Sequence, residues 1–93
     1  MDLKHQVKEN RGYFYFDDNG KKAAIIFYSY KGEDVIIITH TETNNGYEGQ
    51  GLGKKLVLAV VDYARANSLK IVPECPFAKS IFDKTPEYGD VLA

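Results

Sequence analysis

The sequence predicts an α/β fold in which an antiparallel meander is followed by a β-α-β crossover, giving a mixed sheet with a splayed parallel pair and a short C-terminal helix. Three observations carry the prediction. The first half of the chain alternates aromatic or β-branched runs with short turn signals, as consecutive strands do. A helix with an apolar repeat of three and four follows, from Leu52 through Leu56, Ala59, Val60 and Tyr63. A short β-branched run, Ile71-Val72, comes next, and a strand reached through a helical crossover runs parallel to the one before it.

Taken in order, the chain around Val7 reads as a short edge strand, and residues 12–16, rich in Tyr and Phe, as the next. Asp17-Asp18-Asn19-Gly20 is a hairpin turn, because Asn-Gly suits the positive φ of the tight primed turns. Residues 23–30 form the third strand, closed by Lys31-Gly32-Glu33-Asp34. Val35-Ile36-Ile37-Ile38 leaves no polar face, so the strand over 35–39 is expected to be central and covered on both sides. Residues 40–47 are polar and read as a loop. The amphipathic helix ends near Asn67-Ser68, a strand runs from Leu69 to Pro73, and proline stops its pairing because it has no N–H to donate. Pro76, suited to a first helical position, opens a second helix over 76–84, with Phe77, Ile81 and Phe82 on its core face. Residues 85–93 give no clear signal.

The chemistry concentrates in Glu48-Gly49-Gln50-Gly51-Leu52-Gly53-Lys54-Lys55. Alternate glycines allow a tight bend and keep side chains away, so that consecutive N–H groups can face one anion. The helix that starts here adds unpaired N–H groups and the positive end of its dipole. Lys54 and Lys55 in its first turn oppose that dipole by roughly 0.3–1 kcal/mol each unless a negative group lies nearby. A bound phosphate resolves the conflict; a ligand-free strand-to-helix turn is the simpler alternative. A P-loop would need glycine at position 48 and serine or threonine at position 55, where the chain has Glu48 and Lys55. A dinucleotide fingerprint would need G-x-G-x-x-G after the first strand of a βαβ unit, and neither the spacing nor the preceding strands fit.

Composition narrows the function classes. At 93 residues the chain is expected to be one domain, 1–93, with room for a shallow or shared site only. A net charge of −1 gives no bulk attraction to nucleic acid or to an anionic membrane. No run has signal-peptide character or approaches the roughly 18 apolar residues of a membrane span, so a cytoplasmic location is expected. Cys75 is the single cysteine, and with only His5 and His40 as imidazoles no metal site is expected. Tyr13, Tyr15, Tyr28 and Tyr30 suit cross-strand pairs better than a base-stacking platform.

The order of strands, glycine loop, helix and strand resembles the GCN5-related N-acetyltransferases, whose acetyl-coenzyme A loop reads Q/R-x-x-G-x-G/A. More narrowly, the chain is similar to the very short YjdJ-like uncharacterised members. The resemblance covers nearly the whole chain, including His40-Thr41 and Cys75-Pro76-Phe77-Ala78-Lys79. It implies acetyl-coenzyme A as cosubstrate, held by Gly49, Gln50, Gly51, Leu52, Gly53, Lys54 and Lys55, and an amine acceptor. The chain departs from the pattern at Glu48, where Gln or Arg is usual, which leaves the backbone donors unaffected. Larger relatives carry two helices between their first and second strands; here the turns are short, so the acceptor side should be open to a protein or peptide amine, to a partner or to a second copy.

Cys75 precedes a helix start, where dipole and free N–H groups favour a thiolate that could carry the acetyl group. It could equally be a small half-buried residue chosen for fit. His40 could deprotonate the incoming ammonium or the Cys75 thiol, or serve as a structural hydrogen-bonding group at a strand end. Glu42 and Glu48 could relay a proton through water. The alternative function is an acyl-coenzyme A-binding sensor or adaptor that catalyses no transfer.

Overall fold

The computed structural model describes residues 1–93. Five strands lie in the sheet in the order in which they occur in the chain: β1 (Asp2–Lys8), β2 (Arg11–Asp18), β3 (Lys21–Lys31), β4 (Val35–Thr43) and β5 (Lys70–Pro73). The first three pairings are antiparallel and β4–β5 is parallel, with α1 (Leu52–Ala66) as the crossover. The second helix, α2, spans Pro76–Lys84, and the C-terminal residues that gave no sequence signal form a 3-10 helix over Pro86–Val91.

Turn chemistry sets the meander. Asn19 and Gly20 both have positive φ, 51° and 92°, the primed turn that matches the twist of the flanking strands. The β1–β2 connection is as short, so nothing is inserted between the first two strands. Two strands run further than the sequence suggested. The first covers all of residues 2–8, where polar residues alternate with Leu3, His5 and Val7. The fourth continues through His40-Thr41-Glu42-Thr43 instead of breaking into a loop.

The core lies on one face of the sheet. Ile26, Tyr28, Ile36, Ile38 and Ile71 meet Leu56, Val57, Val60, Val61 and Ala64 of α1 and Ala78, Ile81 and Phe82 of α2 in one cluster. The alternate residues Val35 and Ile37 are only half-buried, which corrects the expectation that this strand is covered on both sides. The helices that follow it share one face, and the short turns before it leave the other face without a layer.

Under the sheet, a partly polar aromatic cluster joins β1 to α1. The His5 ring stacks on Phe14 at 3.9 Å and 2°, its Nε2 lies 2.7 Å from the Tyr28 hydroxyl, and the Tyr30 and Tyr63 hydroxyls are 2.6 Å apart. Burial, with the neighbouring Tyr63 hydroxyl, pushes Tyr30 up to about 12. Burial also holds His5 below its ordinary value. The neutral ring is therefore favoured in the fold, and the unfolded chain takes up the proton first as pH falls. Stability should drop on acidification below the ordinary histidine value of about 6.5, and His5→Asn should flatten that part of a melting-temperature profile. An unchanged profile in the variant would rule out His5 as the source.

Candidate functional site

The glycine stretch opens a cleft of about 310 Å³ lined by Thr43 of β4, Tyr47, Glu48, Gly49, Gly51, Leu52, Gly53, Lys54 and Phe77. Gly49 and Gly51 have φ of 80° and 72°, and Gly51 caps α1 in the left-handed conformation with no side-chain cap bond. Every N–H from Glu48 to Lys54 lacks an acceptor within the chain; the first bond of the helix is Lys55 N–H to the Gly51 carbonyl, at 3.2 Å. The first turn contains no acidic residue. Glu48 turns its carboxylate back to accept the Gly46 N–H at 2.9 Å, and the Tyr47 hydroxyl donates to Asp18 at 2.8 Å. Both bonds fix the loop from outside while leaving its donors free.

The second feature is the end of the parallel pair. Pairing of β4 with β5 stops at Ile38–Pro73, and the Ile38 carbonyl accepts both the Glu74 and the Cys75 N–H at 3.1 Å. Beyond that point β4 continues to Thr43 with no partner on its β5 side. A register shift between Phe27 and Tyr28 leaves Thr39 as an extra residue, because Tyr28 pairs with Ile38 and Phe27 with His40. Such a bulge re-aims the residues after it.

The bulge separates the two candidate catalytic residues. Thr41 faces the helices, where the Cys75 thiol donates to its hydroxyl at 3.5 Å. His40 faces the open side, beside Phe27, with Nε2 3.0 Å from Glu42. Cys75 is 5% exposed. Burial pushes its thiol up, but the Ala78 N–H, the Thr41 hydroxyl and the Phe77 N–H outweigh it and hold the thiol below its ordinary value. His40 therefore has no direct line to Cys75.

On the open side His40 and Thr39 border the largest cavity, about 450 Å³, whose other walls include Lys8, Arg11, Tyr13 and Phe27. The cleft and this cavity lie on opposite sides of β4 and are both bordered by its second half. Of the loop residues singled out in the sequence, Gly49, Gly51, Gly53 and Lys54 line the cleft. Leu52 also lines it, but its side chain belongs to the core, so only its backbone is available. Gln50 and Lys55 are exposed outside it.

Phe77 is the cleft residue that sequence reasoning misassigned. It is 40% exposed, and a Cβ added to Gly53 would come within 2.7 Å of its ring. The signal was available in α2: Ala78, Ile81 and Phe82 form the buried stripe at spacings of three and four, and Phe77 falls beside it.

A mixed sheet whose fourth strand leads into a glycine-lined, donor-rich helix start, beside a parallel pair that separates, defines an α/β protein with a cleft at the carboxyl edge of its sheet. The chain belongs to the GCN5-related N-acetyltransferase family: the family model described as GCN5-related N-acetyl-transferase matches residues 12–91. A GCN5-like protein from Staphylococcus aureus, solved in solution, is 41% identical, with a TM-score of 0.74 over 98% of this chain and 88% of that one. Protein NATD1 of Gallus gallus is 29% identical over 63 residues, 68% of this chain and 57% of NATD1, so the chain spans little more than half the length of that relative. The aminoglycoside N-acetyltransferase AAC(6')-Iy, solved in complex with CoA, has a TM-score of 0.65 over 89% of this chain and 88% of its own, at 11% identity, where the likeness is one of fold.

No helix of the chain is long and apolar enough to cross a membrane.

Proposed function

We propose that residues 1–93 act as one domain that binds acetyl-coenzyme A and transfers its acetyl group directly to an amine, in a cytoplasmic setting. The observation that carries the reading is the run of N–H groups from Glu48 to Lys54 with no acceptor in the chain, next to Lys54 and without a first-turn carboxylate. That donor set fits a pyrophosphate. Gly49, Gly51 and Gly53 admit the anion to the backbone, Lys54 balances its charge, and Phe77 offers an apolar wall. The unpaired side of β4 beyond Ile38 orients an extended, amide-bearing arm by strand-like pairing.

Acetyl-coenzyme A supplies the activated acyl group: the amine nitrogen bonds the thioester carbon, the C–S bond breaks, and the coenzyme thiol leaves. A backbone N–H of β4 stabilises the developing oxyanion. His40, with Glu42 beside it, takes the proton from the incoming ammonium on the open side of the sheet. That side has room for a protein or peptide amine. Calorimetry with acetyl-coenzyme A tests the binding step, and the absence of both heat and thermal shift at about millimolar ligand would remove the reading.

One observation favours the second reading, an acyl-coenzyme A sensor or adaptor without transfer: the short connection between β1 and β2 inserts no element that would wall an acceptor pocket. Acetylated product from a peptide or polyamine library, above the rate with free acetyl-coenzyme A, would exclude it.

Direct transfer makes Cys75 dispensable for chemistry. Cys75→Ala should keep turnover within about tenfold, and the intact protein incubated with acetyl-coenzyme A should gain no acetyl mass at Cys75. An adduct discharged by added amine at the rate of turnover would establish the thiol as carrier instead.

A further inference from the structure

The two edges of the sheet are finished differently. At β5 the strand has four residues, ends in Pro73, and has its outer side bridged by Leu92, with the Ala93 N–H donating to the Ile71 carbonyl at 2.9 Å. At β1 there are seven residues in unbroken register with β2, with no proline, no bulge and no element over the outer side. Such an edge presents a row of unpaired backbone groups ready to pair. It also carries Leu3 and Val7, two of the most exposed apolar side chains of the chain, at 47% and 52% exposure. The family model begins at residue 12, so this strand lies outside the matched part.

We propose that β1 is a homodimer interface, pairing antiparallel with β1 of a second copy about a two-fold axis through His5, so that the two sheets become one. The strand's own sequence selects the partner and the register. A two-fold axis perpendicular to the sheet keeps each side chain on its face, so it must pass through a residue and not between two. Centred on His5, it sets Asp2 against Lys8 and Leu3 against Val7, each pair occurring twice, with Lys4 against Gln6. Centred on Lys4, it opposes two lysines of the same number; centred on Gln6, it sets Lys4 against Lys8 twice. Only the His5 register uses all seven residues and places opposite charges together and the exposed apolar residues together, the arrangement that stabilises cross-strand pairs.

The charges are available for it. Lys4 is held within its own chain by Asp17 at 3.2 Å, whereas Asp2 and Lys8 take part in none of the chain's ion pairs. His5, at the axis, faces the helix side and is hydrogen-bonded to Tyr28. The neutral rings of two copies can therefore approach without repulsion.

Sedimentation of the full chain from about 10 µM to about 1 mM tests the proposal, because a single-strand interface is small and its dimer should be weak. The expected result is reversible dimerisation. Asp2→Lys or Lys8→Asp alone should weaken it about tenfold, since each converts two attractive pairs into two repulsive ones. An equimolar mixture of the two single variants should recover dimers, as should the double variant, because each then faces opposite charge again. Both positions are exposed on an edge, and retention of the fold is checked by circular dichroism. A chain monomeric throughout, including one whose β1 amides are protected only by an added peptide of other sequence, would overturn the proposal. So would a dimer insensitive to both variants, or one that the mixture fails to restore.

Discussion

Gly51→Val should lower affinity for acetyl-coenzyme A by about 10- to 100-fold while leaving the chain folded. Gly51 sits at φ 72° and ψ 20°, and a Cβ there would meet nothing within 4 Å, so no clash drives the effect. The cost is conformational: a β-branched residue resists the left-handed region by about 1–3 kcal/mol. The backbone is expected to relax toward negative φ, which turns the N–H groups on either side away from their common focus. Part of the cost also falls on stability, but a loop at the helix start can relax without disturbing the core. Calorimetry and thermal melting on the same sample separate the two effects. Unchanged affinity would mean that the loop does not hold the anion.

Ile38→Ala should destabilise the fold by about 2–5 kcal/mol. For 93 residues the whole stability is on the order of 5–14 kcal/mol, so the variant should lose roughly 10–30 °C of melting temperature. Ile38 is fully buried in the core cluster, at the point where β4 parts from β5. The lost volume lies between sheet and helices, where neither can collapse freely onto the other. Its carbonyl would still accept the Glu74 and Cys75 N–H groups, so the loss would report packing and not hydrogen bonding. The neighbouring Ile37→Ala is the control. Ile37 points to the uncovered face and should cost about 1 kcal/mol. Equal losses in urea titrations would show that both faces are packed alike.

That control touches what could and could not be read from the residues. The meander was legible because Asn19-Gly20 and the aromatic and β-branched runs act locally, and the crossover because the α1 stripe is long and strongly periodic. The four apolar residues of β4 were ambiguous in a way that no local signal resolves. A run without a polar face says that a strand is central, but whether one layer or two covers it depends on elements elsewhere in the chain. The extension of β4 through His40-Thr41-Glu42-Thr43 was hidden for a related reason. Polar residues there read as a loop, yet they lie in a strand whose sides serve the cleft and the open cavity. The glycine loop was legible as a tight bend with free N–H groups opening the helix, because alternate glycines act locally. The separation of His40 from Cys75 was not, because it depends on one bulge residue, Thr39, and residue spacing does not reveal a bulge.

The strand order also bears on how the chain assembles. Three of the four pairings join strands that follow one another through short turns. Each can close with little loss of chain entropy, growing outward from whichever hairpin forms first. The β4–β5 pairing differs, because Val35 meets Lys70 only after the whole of α1 has been laid across the sheet. The most costly loop closure in the molecule is therefore the one that forms the parallel pair and places Cys75 against Thr41. Folding should build the meander early and complete the parallel edge last, with substitutions in β2 and β3 slowing folding and those in β5 chiefly speeding unfolding.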